Sequence, residues 1–243
     1  MKALYLKELR SFLSSIIGYI FIAIFLILNS LFLWIFTNET NILDGGTADL
    51  RAFFEVSPMI FLILIPAITM RSFAEERRTG TIELLFTRPI SDLTIIAAKY
   101  LAGITLVLIS ILPTLVYYYT VHALGEPVGI VDDGATITSY IGLLCVGACM
   151  VAVGIFTSSI TENQIVSFIT AVFLSWFLYQ GLDFLAVYSD FGGLDLVLRN
   201  LSVVEHYSAI QRGVIDTRDI VYFVSFVAVF ILSTKLILQM RKW

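Results

Sequence analysis

The chain has 243 residues, 58% of them hydrophobic and 14% charged, with a mean hydropathy of +0.92. A soluble domain is about half apolar and about a quarter charged, so both departures point to a polytopic membrane protein. A net charge of −4 and a pI near 5.1 leave no basic face to neutralise phosphates, which excludes nucleic-acid binding.

Residues 1–15 come first and alternate charge and apolarity at helical spacing. Leu4, Leu6, Leu9, Phe12 and Leu13 share one face, against Lys2, Lys7, Glu8 and Arg10. That pattern predicts a short amphipathic helix in the membrane interface; a plain positive flank of the first span is the alternative. The apolar run that follows, 16–36, exceeds the roughly 7–15 residues of a signal-peptide core and ends in no small-residue cleavage site, so it reads as an uncleaved first span.

A hydrocarbon core needs about 20 helical residues. Five more stretches qualify: 53–70, 93–119, 139–159, 165–188 and 220–238. The second is the shortest and carries Pro58 and Pro66, which makes it the least secure crossing. Period-2 alternation is absent, so the expected fold is all-α, with six transmembrane helices rather than a β-barrel. Cys145 and Cys149, four apart in the fourth span, read as small apolar helix residues. The connection 189–219, with Gly192 and Gly193, predicts short helices at the interface. No internal repeat relates the first three spans to the last three, unlike many secondary transporters.

Orientation follows from the basic residues. With the N-terminus inside, Lys2, Lys7, Arg10, Arg71, Arg77, Arg78, Arg88, Lys99, Lys235, Arg241 and Lys242 are cytoplasmic, 11 of 15. Arg51, Arg199, Arg212 and Arg218 are outside, with the acids Glu39, Asp44, Asp49, Glu126, Asp132, Asp133, Asp190, Asp195, Glu205, Asp216 and Asp219. The expected topology is N-in/C-in, as an even number of spans requires. Lys99 and Lys235 lie near inner span ends, where long stems let an ammonium snorkel to the headgroups, so both read as anchors.

The connection 71–92 stands apart. Residues 71–89 hold four arginines and three glutamates. The spacing predicts a helix over 73–86, weakened or bent at Gly80 and ended by Pro89. The i,i+4 partners of Glu75 and Glu83 are Thr79 and Thr87, not cations, so helix-stabilising ion pairs do not explain the charges. A charged segment tethered to two spans is suited to transmit a force from a cytoplasmic partner.

Chemistry is hard to place elsewhere. Two histidines, His122 and His206, fall outside the expected spans, and no nucleophile elbow, HExxH helix or GxxxxGK[ST] phosphate loop occurs, so this chain is not expected to be an enzyme. Polar groups within or at the spans are Asn29, Glu55 and Asp183. Glu55 and Asp183 read as interfacial carboxylates or as groups lining the outer part of a pathway, and Asn29 as a bond between helices or a pathway group.

The run Glu75-Glu76-Arg77-Arg78-Thr79-Gly80-Thr81-Ile82-Glu83-Leu84-Leu85, followed by Pro89 and by Lys99 ten residues on, resembles the signature of ABC-2 type transporter permeases. Arg212-Gly213-Val214-Ile215-Asp216-Thr217-Arg218-Asp219 and Ile16-Ile17-Gly18-Tyr19 resemble the gliding-motility-associated ABC transporter permease subunit of Bacteroidota. The resemblance covers the whole chain and implies a single transmembrane domain, residues 1–243, in the cell inner membrane. It implies a cytoplasmic coupling helix between spans 2 and 3, in which Glu75, Glu76, Arg77, Arg78, Gly80, Thr81, Glu83 and Pro89 dock a separate ATPase. ATP and magnesium then belong to that partner, and this chain binds no cofactor. The permease pairs with a second permease-type subunit or with a copy of itself, as an exporter tied to gliding motility or related export. Two other readings stay open: a secondary transporter or channel, and a non-transporting scaffold of a motility or secretion complex.

Overall fold

Four polar side chains mark where helices begin. Ser15 Oγ accepts from Gly18 N, Ser91 Oγ from Thr94 N, Asp132 Oδ1 from Ala135 N (3.0 Å) and Asn163 Oδ1 from Ile165 N (2.9 Å). Each takes up an amide that the first helical turn leaves without a partner, and each opens a long apolar run. The computed structural model describes residues 1–45, 48–86, 90–125, 131–188 and 193–240, among which no strand occurs. Thr87, Arg88, Pro89, Glu126, Asp190, Gly192, Arg241 and Lys242, used in the sequence reading, lie outside the described residues.

In chain order the helices are α1 (Lys2–Leu13), α2 (Ile16–Ser30), α3 (Arg51–Thr69), α4 (Arg71–Arg78), α5 (Thr81–Phe86), α6 (Asp92–Ile111), α7 (Leu115–Leu124), α8 (Asp133–Ile160), α9 (Gln164–Trp176), α10 (Leu182–Tyr188), α11 (Leu194–Leu201), α12 (Val203–Gln211) and α13 (Thr217–Met240). π-helical turns, Leu31–Ile35 and Phe177–Gly181, extend α2 and join α9 to α10, and a 3₁₀ turn, Leu112–Thr114, joins α6 to α7. Among the described residues, six stretches are long and apolar enough to cross a bilayer: Ile16–Ile35, Arg51–Arg78, Asp92–Leu124, Asp133–Ile160, Gln164–Val187 and Thr217–Met240.

The expected bounds shift in two informative places. The third stretch runs to Leu124, so His122, expected beyond the span, sits in the last turn of α7. The second, expected to be the weakest crossing, spans 28 residues and runs into the charged segment as far as Arg78, with α3 and α4 joined at Met70.

Neither proline breaks α3, and at Pro58 a neighbouring helix takes up what the proline releases. Pro58 has no N–H, which deprives the Phe54 carbonyl of its i+4 donor. That carbonyl instead accepts from Tyr207 Oη (2.8 Å) and Gln211 Nε2 (3.1 Å) of α12. Burial pushes the Tyr207 phenol well above its ordinary pKa, so it stays protonated and able to donate. α12 is thus seated in the bundle, with Val203, Tyr207 and Ile210 buried. Asn29 joins α2 to α3: its Nδ2 donates to Phe25 O (2.8 Å) and its Oδ1 accepts from Ser57 Oγ (2.9 Å), beside the stacked rings of Phe25 and Phe61.

α8 is the central helix. Its most apolar window is 72% buried, against 11% for α13. Small residues let neighbours approach its backbone; at Gly154 a Cβ would collide with Thr69 Oγ1 of α3. α13 starts at a polar turn: Asp216 Oδ1 accepts from Arg218 N (2.9 Å), which holds the Asp216 carboxyl below its usual range.

Tyr207→Phe is expected to lower stability by about 1 kcal/mol, and by clearly less in a Pro58→Ala background, whose restored N–H can serve Phe54 O. Thermal unfolding of the four proteins in detergent measures the cycle. Equal costs in both backgrounds would show that the phenol does not compensate for the proline.

Candidate functional site

The charged segment is two short helices broken at a turn, rather than the single helix expected over 73–86. α4 ends at Arg78, and Gly80 adopts φ +71°, a left-handed conformation that ends helices at little cost when no Cβ is present. The Thr79 and Gly80 amides bond back to Glu75 O (3.0 Å) and Arg77 O (3.1 Å), and the Thr79 and Thr81 hydroxyls donate to Glu75 O (2.8 Å) and Glu76 O (3.3 Å). Thr79, the residue opposite Glu75, therefore serves the backbone.

The turn sorts the expected docking residues into two groups. Arg78, Gly80, Thr81 and Glu83 are exposed, with Thr79 between them, and Glu75 is half-buried. Arg77 is buried at 8% exposure, together with Phe73 and Ala74, and Glu76 also turns inward. Pro89 lies outside the described residues.

Glu76 turns inward to meet Lys99. The Lys99 ammonium lies 2.7 Å from Glu76 Oε1 of α4 and 3.4 Å from Glu8 Oε1 of α1, and 5.1 Å from the centroid of the Phe73 ring. Lys99 is 3% exposed. It is not the snorkelling anchor that its position near a span end predicts: α1 covers it, and its charge is met by carboxylates inside the protein. Lys7 Nζ adds a bond to Glu8 Oε1 (3.1 Å). One cation on α6 thus ties the N-terminal helix to the charged helix. α1 packs on α6, with Tyr5 Oη 2.9 Å from Thr105 Oγ1, so its inward face is spent on the protein.

A second tie sits at the joint between α3 and α4. Ser158 of α8 donates to Met70 O (2.9 Å) and accepts from Phe73 N (2.9 Å) and Ala74 N (3.1 Å). Ser158 and Lys99 were not among the expected site residues. The signal for Ser158 is the run Thr157-Ser158-Ser159, three hydroxyls closing an otherwise apolar span; the signal for Lys99 is a lysine within a span with acids on both neighbouring charged elements.

The expected pathway groups lie apart. Asn29 is fully buried in the α2–α3 seam, Glu55 is exposed and paired with Arg51 Nε (2.9 Å), and Asp183 is half-buried on α10. No hydrogen bond or ion pair joins these three among the described residues. At the end of the bundle away from α4, a cavity of about 390 Å³ opens between the starts of α3 and α8 and the end of α12, lined by Arg51, Phe54, Asp132, Ser139, Gln211 and Arg212 among others.

Residues 45–202, about two thirds of the chain, match the model of a family described as ABC-2 family transporter protein. No curated protein matches the chain.

Lys99→Met is expected to cost about 3 kcal/mol, because it leaves two carboxylates facing each other with no cation between them. Adding Glu76→Gln and Glu8→Gln should recover most of that loss. Unfolding midpoints in detergent measure both, and a lone Lys99→Met variant as stable as the parent would rule out the three-way clamp.

Proposed function

The chain belongs to the ABC-2 transporter family and is a multi-pass membrane permease; on that premise we propose that the exposed turn Arg78–Glu83 docks a separate cytoplasmic ABC ATPase. The observation that carries this reading is continuity. The turn is the tip of a 28-residue stretch, α3 jointed to α4 at Met70, that begins at the opposite end of the bundle, and its base is braced by buried bonds to α8 and to Lys99 of α6, which also holds Glu8 of α1. A push on the tip therefore displaces packed helices rather than a loose loop. ATP can shift such a permease only if the ATPase binds one arrangement better than another, and an exposed, charged tip on a braced base suits that differential contact.

In this reading the α4 end is cytoplasmic, the topology is N-in/C-in in the inner membrane, and the whole chain is one transmembrane domain. Glu75, Arg78, Gly80, Thr81 and Glu83 meet the ATPase, with Pro89 completing the connection, while Glu76 and Arg77 hold the docking helix in place from within. ATP and magnesium reside in the partner. A second permease, a copy of this chain or a related one, covers part of the apolar surface that α2, α9 and α13 leave exposed, where no more than a third of each central window is buried. The reaction is export. The association with gliding motility rests on the resemblance of 212–219 and 16–19; in the first run Asp216 caps the following helix and Asp219 Oδ1 sits 2.6 Å from His206 Nδ1.

The test is capture of the co-expressed ATPase from the same gene neighbourhood. Arg78→Glu with Glu83→Arg is expected to cut capture and permease-dependent ATP hydrolysis at least about tenfold, while Glu39→Ala at the other end leaves both intact. Undiminished capture and hydrolysis in the tip variant would refute the docking surface. In a background lacking Cys145 and Cys149, a cysteine at Thr79 should label only from the cytoplasmic side and one at Glu39 only from outside. The reverse pattern would overturn the orientation.

A further inference from the structure

We propose that Ser158 is the positioning residue that makes the fourth span move with the charged helix, so that α8 rather than α6 carries a displacement of α4 across the membrane. This rests on the reading of α4 as the ATPase contact.

An uninterrupted helix would join Ala74 N directly to Met70 O. Here the Ser158 hydroxyl stands between them, donating to the carbonyl and accepting from Ala74 N and also from Phe73 N. One hydroxyl offers one donor and two acceptor sites, and all three are used. A side chain set into the i→i−4 ladder is a recognised cause of a helix joint, and the one-residue break at Met70 lies at that point. Met70, the residue before α4, provides no side-chain cap of its own, so α8 caps α4 from outside. Ser158 is fully buried, which leaves no room for water to replace it. One turn earlier on α8, Gly154 meets Thr69 with no space for a Cβ. Two successive turns of α8 thus hold the joint, one by shape and one by hydrogen bonds. α6 also reaches α4 through Lys99, whose long stem leaves Glu76 more room to shift than three bonds to the backbone leave Met70–Ala74.

The other end of α8 supplies the consequence. Ser139 Oγ lies 3.3 Å from Gln211 O of α12, beside the cavity at the far end. Ser139 and Ser158 are separated by about 28 Å along one helix. A movement gripped at Ser158 therefore arrives at the α12 end without passing through a loop.

Two measurements test this. In the isolated permease, nitroxides at Thr79 and Ile137 report the position of the charged tip relative to the far end of α8. The parent should give one narrow distance distribution, Ser158→Ala a distribution shifted or broadened by several Å, and Ser158→Thr, which keeps the hydroxyl, the parent distribution. In the complex with its ATPase, a cysteine at Ser208 in the Cys145- and Cys149-free chain should change its labelling rate between nucleotide-free and vanadate-trapped states. Ser158→Ala should retain ATPase capture yet lose that change about tenfold, and Ser158→Thr should restore it. If the alanine variant does not accumulate, Ser158→Cys, similar in volume and weaker in hydrogen bonding, makes the same comparison. An unchanged distance distribution, or a fully retained labelling change with the ATPase bound, overturns the proposal. Failure of the parent to capture any ATPase refutes the docking reading instead, and the distance measurement then decides the Ser158 grip alone.

Discussion

A helix inside hydrocarbon has no water to satisfy a backbone group it leaves unpaired, so every interruption must be met by protein. The second span contains three interruptions, at Pro58, at Pro66 and at the Met70 joint. The arrangement around it follows from two of them. Phe54 O, released by Pro58, draws α12 into the bundle through Tyr207 and Gln211. The joint at Met70 draws Ser158 from α8. The span that is weakest as an isolated helix is therefore fastened near both ends, and its partners are fixed by where its own backbone lacks bonds.

The buried charge cluster obeys the same constraint with larger energies. An ammonium at 3% exposure costs several kcal/mol unless its charge is met and its donors are used. Lys99 meets that requirement with acids from two other helices, and the face of Phe73 adds a favourable contact. Replacing the set by apolar residues of matching volume would hold the helices about as well in energy. What an ionic clamp adds is selectivity of arrangement, because α1, α4 and α6 fit together in only one register if all three charges are to be paired.

Much of this architecture was legible in the sequence. Apolar runs of span length place six helices, and the charged segment stands out against a chain that is 14% charged. The matched family agrees with that outline. The misreadings share a cause. Pro58 and Pro66 signal weakness in a linear reading, since the donors that compensate Pro58 lie some 150 residues away in α12. Lys99 looks like an anchor until α1 is seen to cover it. Gly80 gives the right location and an underestimate of its effect, because a left-handed turn ends a helix where a mere loss of propensity would only bend it. Ser158 is marked only by a run of hydroxyls, which are common near helix ends, and only the register of α8 against the Met70 joint gives this one three bonds.

The segment between the second and third spans is thus pinned at two depths, at Met70–Ala74 by Ser158 and at Glu76 by Lys99. Between those points the chain has no freedom of length. One residue inserted before Glu76 would rotate the carboxylate by about 100° around the helix, away from its lysine. Beyond Arg78 the backbone is released from both pins, so exposed positions such as Thr81 and Glu83 can change composition without disturbing the crossing itself, whereas Ile82 and Ile90 pack against the core and Ser91 caps α6. Relatives that serve different motors can therefore differ at such exposed positions while the framework beneath them stays the same.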